Sequence, residues 1–137
     1  MLFLGIIGAG GVFTGSNPGY TTHELAHHLK TSRAKFLISE PEILAPLLDA
    51  AKENGIPETN LWVFDAAGGK IPQGRRSWRD LFEHGEQDWV RFDDLKVAST
   101  TTAARLFSSG TTGLPKAVMI THRNLVAQQE MVFTADP

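Results

Sequence analysis

Two short apolar runs, residues 103–107 and 117–120, flank Ser108-Ser109-Gly110-Thr111-Thr112-Gly113-Leu114-Pro115, and this stretch closes on Lys116. The runs have the composition of strands, so a strand, a loop over 108–115 and a second strand are expected. Four hydroxyl residues and two glycines in so short a loop restrict what it can be. Glycines let backbone N–H groups turn toward a ligand, and successive N–H groups form an anion nest. Each hydroxyl can donate to a phosphate oxygen, and the lysine adds a full positive charge. A polar hairpin with turn glycines needs neither that hydroxyl density nor a terminal lysine. A loop that holds polyphosphate needs both.

The stretch is not a Walker P-loop. Counted from Gly110, that pattern requires glycine where Pro115 stands and Ser or Thr where Ala117 stands. A strand, rather than a helix, is expected after Lys116, so no helix N-terminus points at the phosphates.

The rest of the chain alternates strands with helices. Ser16-Asn17-Pro18-Gly19-Tyr20 is a turn cluster, and a helix opens at Thr21 or Thr22 and runs to about Ser32. Residues 35–39 read as a buried strand. Pro41 suits the first turn of a helix with Ile43, Leu44, Leu47, Leu48 and Ala51 on one face, ending before Gly55, and Pro46 is a candidate kink. A strand over 61–64, a loop over 66–74, a short helix over 78–82 and an acidic surface stretch over 83–94 follow. After the loop strands, Thr121 caps a final helix. This order predicts an α/β domain with a largely parallel sheet, flanking helices and the phosphate loop between two strands. No internal repeat and no dividing linker is visible in the 137 residues, about one domain's length.

Charge and composition exclude several classes. Thirteen Lys and Arg against fifteen Asp and Glu leave no basic excess to draw the chain to nucleic acid or anionic lipid. Without cysteine there is no disulfide, Cys-ligated zinc or thiol nucleophile, which fits a reducing compartment. The apolar start, residues 1–13, is too short to span a bilayer. It lacks the positive leading region of a signal peptide, the first cation being Lys30. Taken alone it reads as a buried segment with close-packing glycines, but an apolar first element suggests that something precedes it, and exposed apolar surface is expected there. Gly8-Ala9-Gly10 begins a dinucleotide-binding turn, but Phe13 stands at the third glycine and a strand-like Val12-Phe13-Thr14 follows.

His23-Glu24-Leu25-Ala26-His27 matches H-E-x-x-H, in which two imidazoles one helical turn apart bind zinc and the glutamate acts as base. Two local features explain these residues without metal. Thr21-Thr22-His23-Glu24 is a capping box. Leu25 and Leu29 lie about 200° around a helix from the two histidines, so a core-facing leucine pair turns His23 and His27 to water. His28 is expected at the rim of the leucine stripe. A zinc peptidase through His23, Glu24 and His27 is therefore a minor alternative, and no metal site is assigned. Lys70, Arg75, Arg76 and Arg79 lie close in sequence but read as a solvated loop.

S-S-G-T-T-G-L-P-K followed by T-H-R-N resembles the phosphate-loop signature of the adenylate-forming (AMP-binding) enzymes, which include acyl- and aryl-CoA ligases and luciferases. The region from Leu2 to Ser39 is similar to the segment upstream of that loop, with G-G-V-F-T-G, N-P-x-Y-T and E-L-x-x-x-L in matching order. The flavour is that of 4-coumarate–CoA ligase-like enzymes, and the resemblance covers essentially the whole chain. Ala117 departs from the usual glycine.

The resemblance implies that ATP and a carboxylic acid give an acyl-adenylate and pyrophosphate, and that the acyl group passes to coenzyme A. By position, Ser108, Ser109, Gly110, Thr111, Thr112, Gly113 and Lys116 would grip the β- and γ-phosphates, with Mg²⁺ sharing the charge. Lys116 would stabilise the departing pyrophosphate. It implies that residues 1–137 are part of a large N-terminal AMP-binding domain truncated at both ends. The adenine, acyl and CoA sites and the main catalytic lysine would lie elsewhere. The isolated chain is then expected to be inactive. The alternative is a non-catalytic truncated product or binding module. Expected partners are the acid, ATP and CoA, with no nucleic acid and no membrane span. The expected location is the cytoplasm, with the peroxisome as the alternative.

Overall fold

The computed structural model describes residues 2–65, 68, 70–108 and 114–135. In chain order its elements are α1 (Leu2–Gly8), α2 (Thr22–Ser32), β1 (Leu37–Ser39), α3 (Leu44–Glu53), β2 (Leu61–Val63), β3 (Arg76–Ser77), α4 (Leu95–Thr100), β4 (Thr102–Ser108), β5 (Lys116–Thr121) and α5 (His122–Thr134). Short 3-10 turns lie at Pro41–Ile43, Glu58–Asn60 and Trp78–His84. Contacts gather into two compact units, residues 16–86 and residues 1–15 with 87–137.

Residues 16–86 hold the larger core. Leu25 and Leu29 sit one turn apart on α2, and Leu44, Leu47 and Ala51 line one face of α3. They bury against Leu37 of β1 and Leu61 and Val63 of β2. The three strands pair in parallel in the order β1-β2-β3, with Leu37 opposite Leu61 and Trp62 opposite Arg76. All three residues of the central strand β2 are buried, as a strand between two parallel neighbours requires. Pro41 opens the 3-10 turn, and Pro46 falls in the first turn of α3, where no intrahelical partner awaits its missing N–H. The expected kink is therefore a shift of the helix start. Asn54 ends α3 and donates to the carbonyls of Ala26 and Ala50, at 3.1 and 2.9 Å, tying the two helices together.

In the other unit, the apolar start is helical and only partly covered. Gly8 is its one buried residue and Leu4 remains 51% exposed, so α1 is not buried as a whole and exposes apolar surface as expected. Its glycines do pack closely. The Gly8 position lies against the Trp89 ring, and a Cβ on Gly11 would sit 2.9 Å from the Ile6 carbonyl oxygen. Beyond this turn Phe13 pairs in parallel with Ala104 of β4. On its other side β4 pairs antiparallel with β5, from Thr102 opposite Thr121 to Ser108 opposite Lys116. The parallel sheet expected for the chain thus describes β1, β2 and β3, while β4 and β5 form a hairpin. The helix α4, capped by the Asp94 side chain on the Val97 N–H at 2.8 Å, and the two-residue strand β3 were not legible in the sequence.

Candidate functional site

The loop end of the β4–β5 hairpin is the candidate site. Ser108 is the last residue of β4 and Lys116 the first of β5, and the register sets them directly opposite one another. Both side chains are exposed. Among the described residues no ion pair includes Lys116. Ser109, Gly110, Thr111, Thr112 and Gly113, the remaining candidate phosphate ligands, lie outside the described residues. Ala117 stands within the ladder opposite Phe107 and is half-buried. Its methyl is therefore accommodated in the strand.

Both flanks of the hairpin are fastened. Phe13 N–H donates to the Ala103 carbonyl at 2.9 Å, and Arg105 N–H donates to the Phe13 carbonyl at 2.8 Å. The Thr14 hydroxyl then donates to the Arg105 carbonyl at 2.8 Å. At the far end Thr121 caps α5 through a capping box. Its hydroxyl accepts from the Asn124 backbone N–H, and the Asn124 side-chain oxygen Oδ1 accepts from the Thr121 N–H at 3.0 Å. His122 stacks on Phe92 with ring centroids 3.9 Å apart, and burial holds its imidazole below the usual histidine range. Thr14 and Phe92 escaped the sequence reading because their partners lie far along the chain. The G-G-V-F-T-G motif was the one available signal for Thr14.

The H-E-x-x-H segment serves helix geometry. Glu24 accepts from both the N–H and the hydroxyl of Thr21, each at 2.8 Å. The backbone bond first, then the hydroxyl, lowers its pKa. His23 is exposed and His27 half-buried. Among the described residues no three His, Asp or Glu side chains gather to hold a metal ion. His28 corrects the expectation of a rim residue: it is only 2% exposed. Position 28 lies three residues beyond Leu25 and beside Leu29, which places it on the core face, near Tyr20. Burial first, and the neighbouring His27 second, push its pKa down to about 4.

The basic cluster is internally paired at three of its four positions. Arg75 meets Glu58 at 2.5 Å, and Arg79 pairs with Asp65. Arg76 lies 4.6 Å from the centre of the Trp62 ring and donates to the Thr59 carbonyl at 2.8 Å.

Residues 1–136 match the family of AMP-binding enzymes, and the chain belongs to that family. Acyl-CoA ligase azaF of Aspergillus niger is 51% identical over 139 residues, which cover 100% of this chain and 26% of the relative. Phenylacetyl-CoA ligase epaB of Aspergillus niger is 51% identical with the same coverage. The 4-coumarate–CoA ligase-like 1 protein of Arabidopsis thaliana is 37% identical over 127 residues, 93% of this chain and 21% of its own. The chain spans about a quarter of the length of the curated relatives it matches. Among solved structures, ATP-bound MatB from Rhodopseudomonas palustris is similar with a TM-score of 0.71 and 26% identity, covering 97% of this chain and 24% of that one. A red-emitting luciferase from Phrixothrix hirtus shares the fold, with a TM-score of 0.74 at 24% identity over 98% of this chain and 32% of its own. The α/β class expected from the sequence is that of these enzymes.

Proposed function

We propose that this chain carries the ATP-phosphate grip of an AMP-forming acid–CoA ligase. In that reaction a carboxylic acid and ATP give an acyl-adenylate and pyrophosphate, and the thiol of coenzyme A then takes the acyl group and releases AMP. The single observation that carries the reading is the exposed Lys116 set opposite Ser108 at the loop end of the hairpin. Lys116 would hold the β- and γ-phosphates as a point charge, and its effect grows as charge builds on the leaving pyrophosphate. Ser108, Ser109, Thr111 and Thr112 would donate hydroxyl hydrogens to phosphate oxygens, with Gly110 and Gly113 freeing backbone N–H groups for the same oxygens. Bound Mg²⁺ would supply further neutralisation of the phosphates. The names of the two relatives at 51% identity, an acyl-CoA ligase and a phenylacetyl-CoA ligase, support an acyl or arylacetyl acid as substrate. The acyl, adenine and CoA sites would belong to the remaining length of such an enzyme.

Calorimetric titration of the chain with MgATP and with magnesium pyrophosphate tests this reading. Binding that weakens about tenfold or more in Lys116→Ala supports it. Equal binding by the two proteins, or none by either, overturns it. ATP–pyrophosphate exchange with a panel of aromatic and fatty acids is expected to stay at background for the 137 residues. Robust exchange lost in Lys116→Ala would show that they suffice alone.

A further inference from the structure

The register of β4 gives Thr14 a role that its sequence position does not announce. Along β4 the Ala103 carbonyl and the Arg105 N–H both face the 10–15 segment, where they bond to Phe13. Carbonyls two residues apart on a strand point the same way, so the Arg105 carbonyl faces that segment too. A longer parallel ladder would offer it a backbone N–H. Here the Thr14 hydroxyl donates to that carbonyl at 2.8 Å, one residue beyond the Phe13 pairing. Thr14 is half-buried, and its bond joins residues 91 positions apart. Its acceptor, Arg105, falls on the loop side of the Phe13–Ala104 pairing, three residues before Ser108.

We propose that Thr14 is a positioning residue for the phosphate grip: its hydroxyl fixes the loop-proximal end of β4, and hence Ser108 opposite Lys116. The proposal rests on the reading of the hairpin as a phosphate site. Losing this bond removes one tie on the loop-proximal half of β4, so Ser108 is held less firmly opposite Lys116.

Thr14→Val keeps the shape and removes the donor, and Thr14→Ser restores it. Two measurements on the full chain are needed. In amide hydrogen exchange, Thr14→Val is expected to accelerate residues 106–108 and 116–118 while leaving α5 and the residue 16–86 core unchanged, and Thr14→Ser is expected to reverse this. In MgATP titration, Thr14→Val is expected to weaken binding about 2- to 10-fold, the range of one hydrogen bond, and Thr14→Ser to recover it. Acceleration spread evenly over the unit, or an unchanged loop end, overturns the positioning role. Wild-type binding unaltered by Thr14→Val also overturns it. If the wild-type chain binds neither MgATP nor pyrophosphate, the phosphate reading falls on that ground, and the exchange pattern at 106–108 still decides whether Thr14 sets the strand end.

Discussion

The carboxylate of Glu24 accepts two hydrogen bonds from Thr21, from its backbone N–H and from its hydroxyl, each at 2.8 Å. This reciprocal cap uses the glutamate that a zinc peptidase would employ as its base. Thr21→Ala should lower stability by about 1 kcal/mol in urea unfolding, the usual cost of a lost N-cap. Chelation should leave the unfolding midpoint unchanged, and elemental analysis should find zinc well below one equivalent. Stoichiometric zinc lost in His23→Ala would refute the capping account.

His28 should make folding acid-sensitive. Its pKa is about 4 in the fold against an ordinary 6.5. Between these values the unfolded chain binds a proton that the folded chain does not. Stability is therefore full above about pH 6.5, falls as pH drops toward 4, and levels below it. The shift corresponds to about 3 kcal/mol. Denaturation midpoints measured from pH 7 to pH 4 should decline in the wild type and much less in His28→Gln. His122 contributes with the same sign, so some slope remains in the variant.

Leu61 and Met119 should respond oppositely to truncation although both lie on strands. Leu61 is 2% exposed at the centre of the parallel sheet, and Leu61→Ala should cost about 2–5 kcal/mol. Met119 is 66% exposed, and Met119→Ala should change stability by less than about 0.5 kcal/mol. Equilibrium urea unfolding distinguishes them, and a comparable loss at Met119 would mean that this strand face is covered.

An apolar groove lined by Phe3, Leu4, Ile7, Leu125, Val126 and Phe133 should bind a hydrophobic dye. Phe133 is 77% exposed, and Met131 and Val132 beside it are exposed as well. Patches of this kind mark surfaces that attract apolar partners. Anilinonaphthalene sulfonate fluorescence should rise on adding the native chain and fall in Phe133→Lys. A chain that leaves the dye dark contradicts this reading of the surface.

Gly11→Ala should loosen the turn that leads α1 into the Phe13 pairing. An added methyl meets the Ile6 carbonyl at 2.9 Å, a backbone atom that cannot swing aside as a side chain would. The measurable result is a lower melting temperature, and an unchanged one would show that the turn relaxes freely.

What could be read from the sequence was local. The Thr21–Glu24 capping box and the Thr121 cap close within three residues, so composition and spacing sufficed to find them, while the return bond from Thr121 N–H to the Asn124 side chain appeared only in the structure. The leucine face of α2, the buried strand β2 and the two strands around the hydroxyl-rich loop follow from periodicity in the same way. The family was legible as a resemblance, through the loop signature and the order of the upstream motifs. Other features depended on partners distant in sequence. Two residues make β3 a strand only because Trp62 lies beside Arg76. His28 becomes a core residue only once Leu25 and Leu29 have fixed which face of α2 is turned inward. Arg75, Arg76 and Arg79 read as a solvated loop in the sequence, and their partners Glu58, Trp62 and Asp65 come near only in the fold. Thr14 acquires its role only when β4 presents the Arg105 carbonyl to it. The sequence determined α2, α3, α5 and the strands β1, β2, β4 and β5, since those are set by neighbours along the chain. The tertiary structure decided which cations were already paired, which histidine was buried, and which residues hold Ser108 across from Lys116, since those depend on contacts that chain order does not contain.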